Sequence, residues 1–208
     1  MPGKISSYTI VRVIAGSAKG IHLSSVKGSK TRPIPDRVKE SLFNILAGVI
    51  PDSRVLDMYA GTGAIGIEAL SRGAESCIFI ENDRQALQII KKNLEQTKLQ
   101  TKAWVLPYDV FEITPFLEKN HVVIDVIFAS PPYPFLEKKS YRDNLLTVFS
   151  SLYQKHILLP DGLIVLQHRK TDSEQTPKVP VLEVFDARTY GDTQISFFRN
   201  AIQQEHSL

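Results

Sequence analysis

Cysteine is almost absent from this 208-residue chain: Cys77 stands alone, so neither an internal disulfide nor a cysteine-built metal centre can form. It lies in a run of strand-forming residues and reads as a small core side chain rather than a nucleophile. Long apolar runs are missing as well. The longest stretch, 122–129, is interrupted by Asp125, and the first residues lack the apolar segment of a signal peptide. The expectation is a cytoplasmic protein with no membrane partner. The five histidines, His22, His121, His156, His168 and His206, show no metal-ligand spacing and read as surface or loop residues. With 43% apolar and 23% charged residues, the chain is neither disordered nor fibrous. It is long enough for one substantial core and a small appendage.

The net charge of +3 conceals an asymmetry. Residues 1–50 hold 8 Lys/Arg against 2 Asp/Glu, and the remaining residues hold 17 against 20. A basic first segment on a mildly acidic body suits a polyanion partner, although lysine-rich ends also serve as solubilising surface.

The β-branched run 8–14, the turn-like stretch 15–20 and the alternating residues 21–23 predict a small hairpin. Val38, Leu42, Ile45, Leu46 and Val49 then recur with helical spacing behind Asp36, a good N-cap. From residue 53 the pattern alternates strand and helix, as in a parallel sheet with helices on both faces. Strands are predicted at 54–57, 77–80, 103–106, 122–129 and 163–167, and helices at 64–72, 83–97, 110–117 and 142–156. Runs 181–187 and 194–199 flank the short connection 188–193 and predict an antiparallel hairpin. Trp104, Phe197 and Phe198 sit in strand patterns and are expected in the core. The domain reading is a basic extension, 1–50, on an α/β body, 51–208.

Two strand ends carry the chemistry. After strand 54–57, Gly61, Gly63 and Gly66 satisfy the Gly-x-Gly-x-x-Gly pattern of dinucleotide-binding turns, with Glu81 twenty positions beyond Gly61. Asp57, four residues before the first glycine, opposes that reading, because its carboxylate would repel a pyrophosphate. It suits a cationic ligand such as S-adenosylmethionine, whose methionine part a backbone without β-carbons at Gly61 and Gly63 would let approach. Glu81 can accept from both ribose hydroxyls under either reading, and Asp109 is placed to accept from an adenine amine. Taken singly, each carboxylate reads equally as a cap or a solvated strand end.

The second strand end is Ser130-Pro131-Pro132-Tyr133. Two prolines cannot continue a sheet ladder, so the strand stops in a rigid turn. It is either an ordinary proline turn or a grip for a flat, amine-bearing ring, with acceptors for the amine and a tyrosine to stack on the base.

With both turns in one sheet, the chain resembles the class I methyltransferases that modify exocyclic amines of nucleobases. Within them it is most similar to the RsmD family, which methylates the N2 amine of a guanine in small-subunit (16S) ribosomal RNA. The likeness covers Arg12-Val13-Ile14-Ala15-Gly16, Lys19-Gly20 and Arg32-Pro33. It continues through Asp36-Arg37-Val38-Lys39-Glu40-Ser41-Leu42-Phe43-Asn44, the stretch 55–74 and Tyr190-Gly191.

The resemblance implies a Rossmann-like, mostly parallel seven-stranded sheet with S-adenosylmethionine held by Asp57, Tyr59, Ala60, Gly61, Thr62, Gly63, Glu81, Asn82, Asp109 and Val110. Catalysis falls to Ser130, Pro131, Pro132 and Tyr133. Arg12, Lys19, Arg32, Arg37 and Lys39 are the candidate phosphate contacts for ribosomal RNA within a small-subunit particle, with Arg32 and Arg37 alternatively placed to close over the cofactor. A monomer without a metal is expected. The family usually has Asp before Pro-Pro-Tyr, whereas this chain has Ser130, as in enzymes acting on cytosine N4 in DNA. A DNA amino-methyltransferase and a nucleic-acid-binding protein without turnover are the alternatives.

Overall fold

Residues Val11–Arg12 (β1) and His22–Leu23 (β2) pair antiparallel, with Val11 opposite Leu23, giving a smaller hairpin than the run 8–14 predicts. The fold is given by a computed structural model, which describes residues 11–25, 34–170, 179 and 181–201. Positions 8–10 and Arg32 lie outside the described residues. Helix α1, Asp36–Ile45, follows. Asp36 is its first residue rather than its cap: Pro35 occupies that position, and the Asp36 carboxylate accepts from Arg12 Nε at 2.9 Å. The helix stops before Val49, so Ile45 and Val49 are exposed instead of completing the predicted apolar stripe.

The body alternates as its pattern predicts: β3 (Arg54–Asp57), α2 (Ala64–Ser71), β4 (Ser76–Ile80), α3 (Arg84–Thr97), β5 (Ala103–Leu106), α4 (Ile113–Lys119) and β6 (Ile124–Ala129). A short α5 (Tyr133–Leu136), α6 (Lys139–Gln154), β7 (Leu158–Arg169), β8 (Leu182–Tyr190) and β9 (Thr193–Asn200) complete it. The seven-stranded sheet has the order β5-β4-β3-β6-β7-β9-β8. Strands β3 to β7 are parallel, and β9 runs antiparallel to both neighbours. Gly191, at φ 60°, helps make the final connection a two-residue turn, shorter than the predicted 188–193.

Successive strand residues face opposite layers. Val55, Phe79, Val126 and Val165 pack with Leu42 and Phe43 of α1, Ile67 and Leu70 of α2 and Ile90 of α3. Leu56, Ile78, Ile127 and Ile164 pack with Leu117 of α4 and Leu145, Phe149 and Leu152 of α6. Val11, Val13 and Leu23 of the hairpin belong to the first of these layers, so the extension shares the core of the body.

Two further expectations fail. Trp104 is 47% exposed, because β5 is the edge strand and has a neighbouring strand on one side only; its ring meets Phe116 edge-on at 5.8 Å between centroids. His168 is buried on β7 rather than at the surface. Its Nδ1–H donates to the Arg169 carbonyl at 2.8 Å and its Nε2 accepts from Ser196 Oγ at 2.8 Å, while burial holds its pKa below the usual histidine value. Among the described residues no helix is long and apolar enough to cross a membrane.

Candidate active site at the carboxyl ends of the parallel strands

Strand order reverses between β3 and β6, leaving a crevice beyond their carboxyl ends, where ligands of open α/β sheets bind. Both turns singled out in the sequence open there. Asp57 closes β3 and is buried; its Oδ2 accepts from Gly66 N–H at 3.1 Å, and Tyr59 N–H also donates to it. Burial, aided by the charge of Glu81, pushes its pKa up to about 7 against the pull of those two amides. Among the described residues no cation pairs with it. The carboxylate therefore lacks the partner that would offset its desolvation.

The three glycines divide the work. Gly61, at φ 55°, has open space where a β-carbon would stand, so a ligand can lie against its backbone. Gly63, at φ 78°, is the left-handed cap of α2, and its β-carbon position faces Ile67, Ile90 and Phe79 in the core rather than the crevice, contrary to the expectation for it. Gly66 lets α2 lie close on β4: a β-carbon would stand 2.3 Å from Phe79 and 2.7 Å from Cys77 Sγ.

Glu81, at the end of β4, turns back toward the glycine turn. Its Oε2 accepts from Gly61 N–H at 2.8 Å, and its Oε1 from the Asn82 and Asp83 N–H groups at 2.9 and 3.0 Å. Three of roughly four lone-pair positions are thus occupied, leaving one, on Oε2, for a further donor. Asp109 beyond β5 accepts from Phe111 N–H at 2.9 Å and lies 3.5 Å from Asn82 Nδ2, with Val110 buried beside it. Tyr59 reaches Tyr141 of α6, hydroxyl to hydroxyl at 2.9 Å, and Phe111 meets the Tyr141 ring edge-on.

Ser130, Pro131 and Pro132 cap β6, and Tyr133 begins α5. Ser130 Oγ lies 3.4 Å from Gln167 Oε1, and Gln167 Nε2 donates to the Tyr133 hydroxyl at 3.1 Å. That hydroxyl is 2.7 Å from Thr193 Oγ1 at the start of β9, so the tyrosine ring is held at its tip as well as its base.

The basic residues do not act as one set. Lys19 and Arg37 are exposed, and Arg12 is exposed but paired with Asp36. Lys39 is withdrawn from the RNA-binding group: it is 0% exposed, its Nζ lies 3.3 Å from Glu68 and donates to the Arg12 carbonyl at 2.6 Å. Phosphate cannot reach it, and burial draws its pKa down.

Several residues that matter here escaped the sequence reading. Glu68 of α2 accepts from Ile14 and Ala15 N–H at 2.7 and 3.0 Å and pairs with Lys39 and Arg72. Asn93 of α3 is buried; its Nδ2 donates to the Thr62 carbonyl at 2.8 Å, while its Oδ1 accepts from Ser24 N–H. Gln167, Thr193 and Tyr141 come from late elements that only the sheet order brings to the crevice. A polar residue at each otherwise apolar core position was the one signal for Glu68 and Asn93.

Sheet order, glycine turn and proline turn together define the class I methyltransferase fold. A family model described as "Conserved hypothetical protein 95" matches residues 11–199. Bacillus subtilis YlbH, named as a candidate rRNA methyltransferase, is 39% identical over 189 residues, covering 91% of this chain and 98% of YlbH. The Haemophilus influenzae "Ribosomal RNA small subunit methyltransferase D" is 36% identical over 172 residues, covering 81% and 83%. Among solved structures, Escherichia coli yhhF, described as a candidate methyltransferase, superposes with a TM-score of 0.76 at 30% identity, covering 91% of this chain and 97% of that one. The chain belongs to this family, the RsmD family of methyltransferases.

Proposed function

We propose that the protein transfers a methyl group from S-adenosylmethionine to the exocyclic N2 amine of a guanine in small-subunit ribosomal RNA. The observation that carries this reading is a buried, cation-free carboxylate, Asp57, one strand away from the Ser-Pro-Pro-Tyr turn at the same carboxyl end of the sheet. Asp57 favours a ligand with positive charge and no phosphate, Gly61 gives it room, and Glu81 and Asp109 supply acceptors for a ribose hydroxyl and an adenine amine. When bound, this cofactor supplies a methyl group on a positively charged sulfur; the amine nitrogen takes it, the carbon–sulfur electrons stay on sulfur and one proton leaves.

The chain's own residues then have to orient a weak nucleophile, whose lone pair is delocalised into the ring. Ser130 Oγ and the Pro131 carbonyl would accept its two hydrogens, and the held ring of Tyr133 would stack on the base. Such positioning accounts for several kcal/mol of barrier. Extruding the base costs a few kcal/mol, which phosphate contacts from Lys19, Arg37 and Arg12 would offset. On this reading the enzyme is a cytoplasmic monomer acting on RNA within a small-subunit particle.

The test incubates the protein with labelled S-adenosylmethionine and undermodified small-subunit particles, naked ribosomal RNA or DNA, and maps the label. A methyl on a guanine N2 is expected. Label on DNA cytosine would favour the reading that Ser130 suggests, and cofactor binding without transfer would overturn the enzyme.

A further inference from the structure

Resting on the proposed reaction, we infer that Gln167 is a positioning residue that turns Ser130 into a hydrogen-bond acceptor for the target amine. A serine hydroxyl is ambivalent. It can accept a proton from an amine only if its own proton points elsewhere, whereas an aspartate in that position has no proton to divert. Gln167 offers the diversion. Leu166 lies opposite Ala129 in the β6–β7 register, so Gln167 stands beside Ser130, where its Oε1 faces Ser130 Oγ at 3.4 Å. The distance is long, as catalytic hydrogen bonds are before substrate binds.

What keeps the amide oxygen rather than its nitrogen toward Ser130 is the other end of the side chain. Nε2 donates to the Tyr133 hydroxyl at 3.1 Å, and that hydroxyl lies 2.7 Å from Thr193 Oγ1, which is able to take its proton. On this inference the chain runs one way: Ser130 gives to Gln167, Gln167 to Tyr133, and Tyr133 to Thr193, which closes it as the acceptor. The lone pairs of Ser130 Oγ remain for the amine, and the same chain fixes the ring that stacks on the base. Gln167 touches neither reacting atom, so it acts through Ser130 and Tyr133.

Neutron diffraction of the ligand-free, deuterated protein reads the direction without any turnover. Deuterium on Ser130 Oγ aimed at Gln167 is expected; an ND2 group of Gln167 facing Ser130 would overturn the assignment. Kinetics supply the second arm. Gln167→Leu should lower kcat by roughly 10- to 100-fold, the scale of a misaligned reacting group, with cofactor affinity unchanged. In a Ser130→Asp background, where residue 130 needs no diverted proton, the same substitution should cost less than about threefold. Gln167→Glu, which keeps an acceptor for Ser130, should recover most of the kcat lost in Gln167→Leu. Equal losses in both backgrounds would reduce Gln167 to a packing residue. A wild-type protein without methyl transfer fails the reaction itself, a result distinct from an active enzyme indifferent to Gln167.

Discussion

Two buried carboxylates share one β–α unit, and they live under opposite conditions. Glu68 on α2 receives two backbone amides, an ammonium and a guanidinium, four donors on about four lone-pair positions. Asp57 at the end of β3 receives two backbone amides and no cation. A saturated acid holds structure, here the docking of the N-terminal extension on α2. An acid left short of positive charge is costly to the ligand-free protein and gains from a cation that enters the crevice.

The largest expected effect removes the saturated member. Glu68→Ala strands the buried Lys39 ammonium and two amides of the extension, a loss of about 3–5 kcal/mol in chemical denaturation. A loss below about 1 kcal/mol would mean that the extension is anchored by its apolar contacts alone.

Asp57 makes stability depend on pH. Its folded pKa of about 7 exceeds the ordinary 3.8, so the native state holds the extra proton between those values and the group's contribution to stability falls as pH rises from about 4 to 7. That displacement corresponds to about 4 kcal/mol. Compared with wild type, Asp57→Asn should become relatively more stable by that order between pH 4 and pH 8, read as the difference between two denaturation series. A pH-independent difference would mean that Asp57 titrates normally.

The same variant sharpens the comparison in binding. Removing the carboxylate should weaken S-adenosylmethionine by about 3 kcal/mol, more than a hundredfold, at pH 8 in calorimetry. Wild-type affinity should fall as pH drops below about 7, because protonation cancels the charge the cation seeks; the Asp57→Asn protein should lose that slope. A retained slope would move the titrating group elsewhere.

The two acids were not equally legible. Asp57 announced itself by position, just before a glycine turn at a strand end, and the parallel order of the sheet followed from alternating strand and helix patterns. Glu68 was hidden inside an apolar helical run, where only its partners reveal a role; Arg72 is four residues on, but Lys39, Ala15 and Ile14 lie 29 to 54 residues away in sequence. Lys39 misled for the same reason: composition counts a charge without showing that α1 turns it inward. Gln167 and His168 were unreadable because β7 is much longer than its apolar centre, and its partner β9 is set by a hairpin that returns from the far edge.

The smallest effect joins the two regions. Asn93 holds the Thr62 carbonyl of the glycine turn with one end and Ser24 of the extension with both, so it alone among the described side chains hydrogen-bonds to the two at once. Asn93→Ala leaves these backbone groups without their buried partner, which costs about 1–2 kcal/mol in denaturation. The turn should then loosen, and S-adenosylmethionine affinity should fall severalfold. Gln96 is the control: it holds the extension by the His22 carbonyl at 2.9 Å, at the exposed surface and without touching the turn. Gln96→Ala should leave cofactor affinity unchanged. If both substitutions weaken the cofactor alike, the extension supports the turn as a whole rather than through Asn93; if neither does, the turn is held by Glu81 and its own glycines, and the saturated and the cation-seeking halves of this β–α unit are energetically separate.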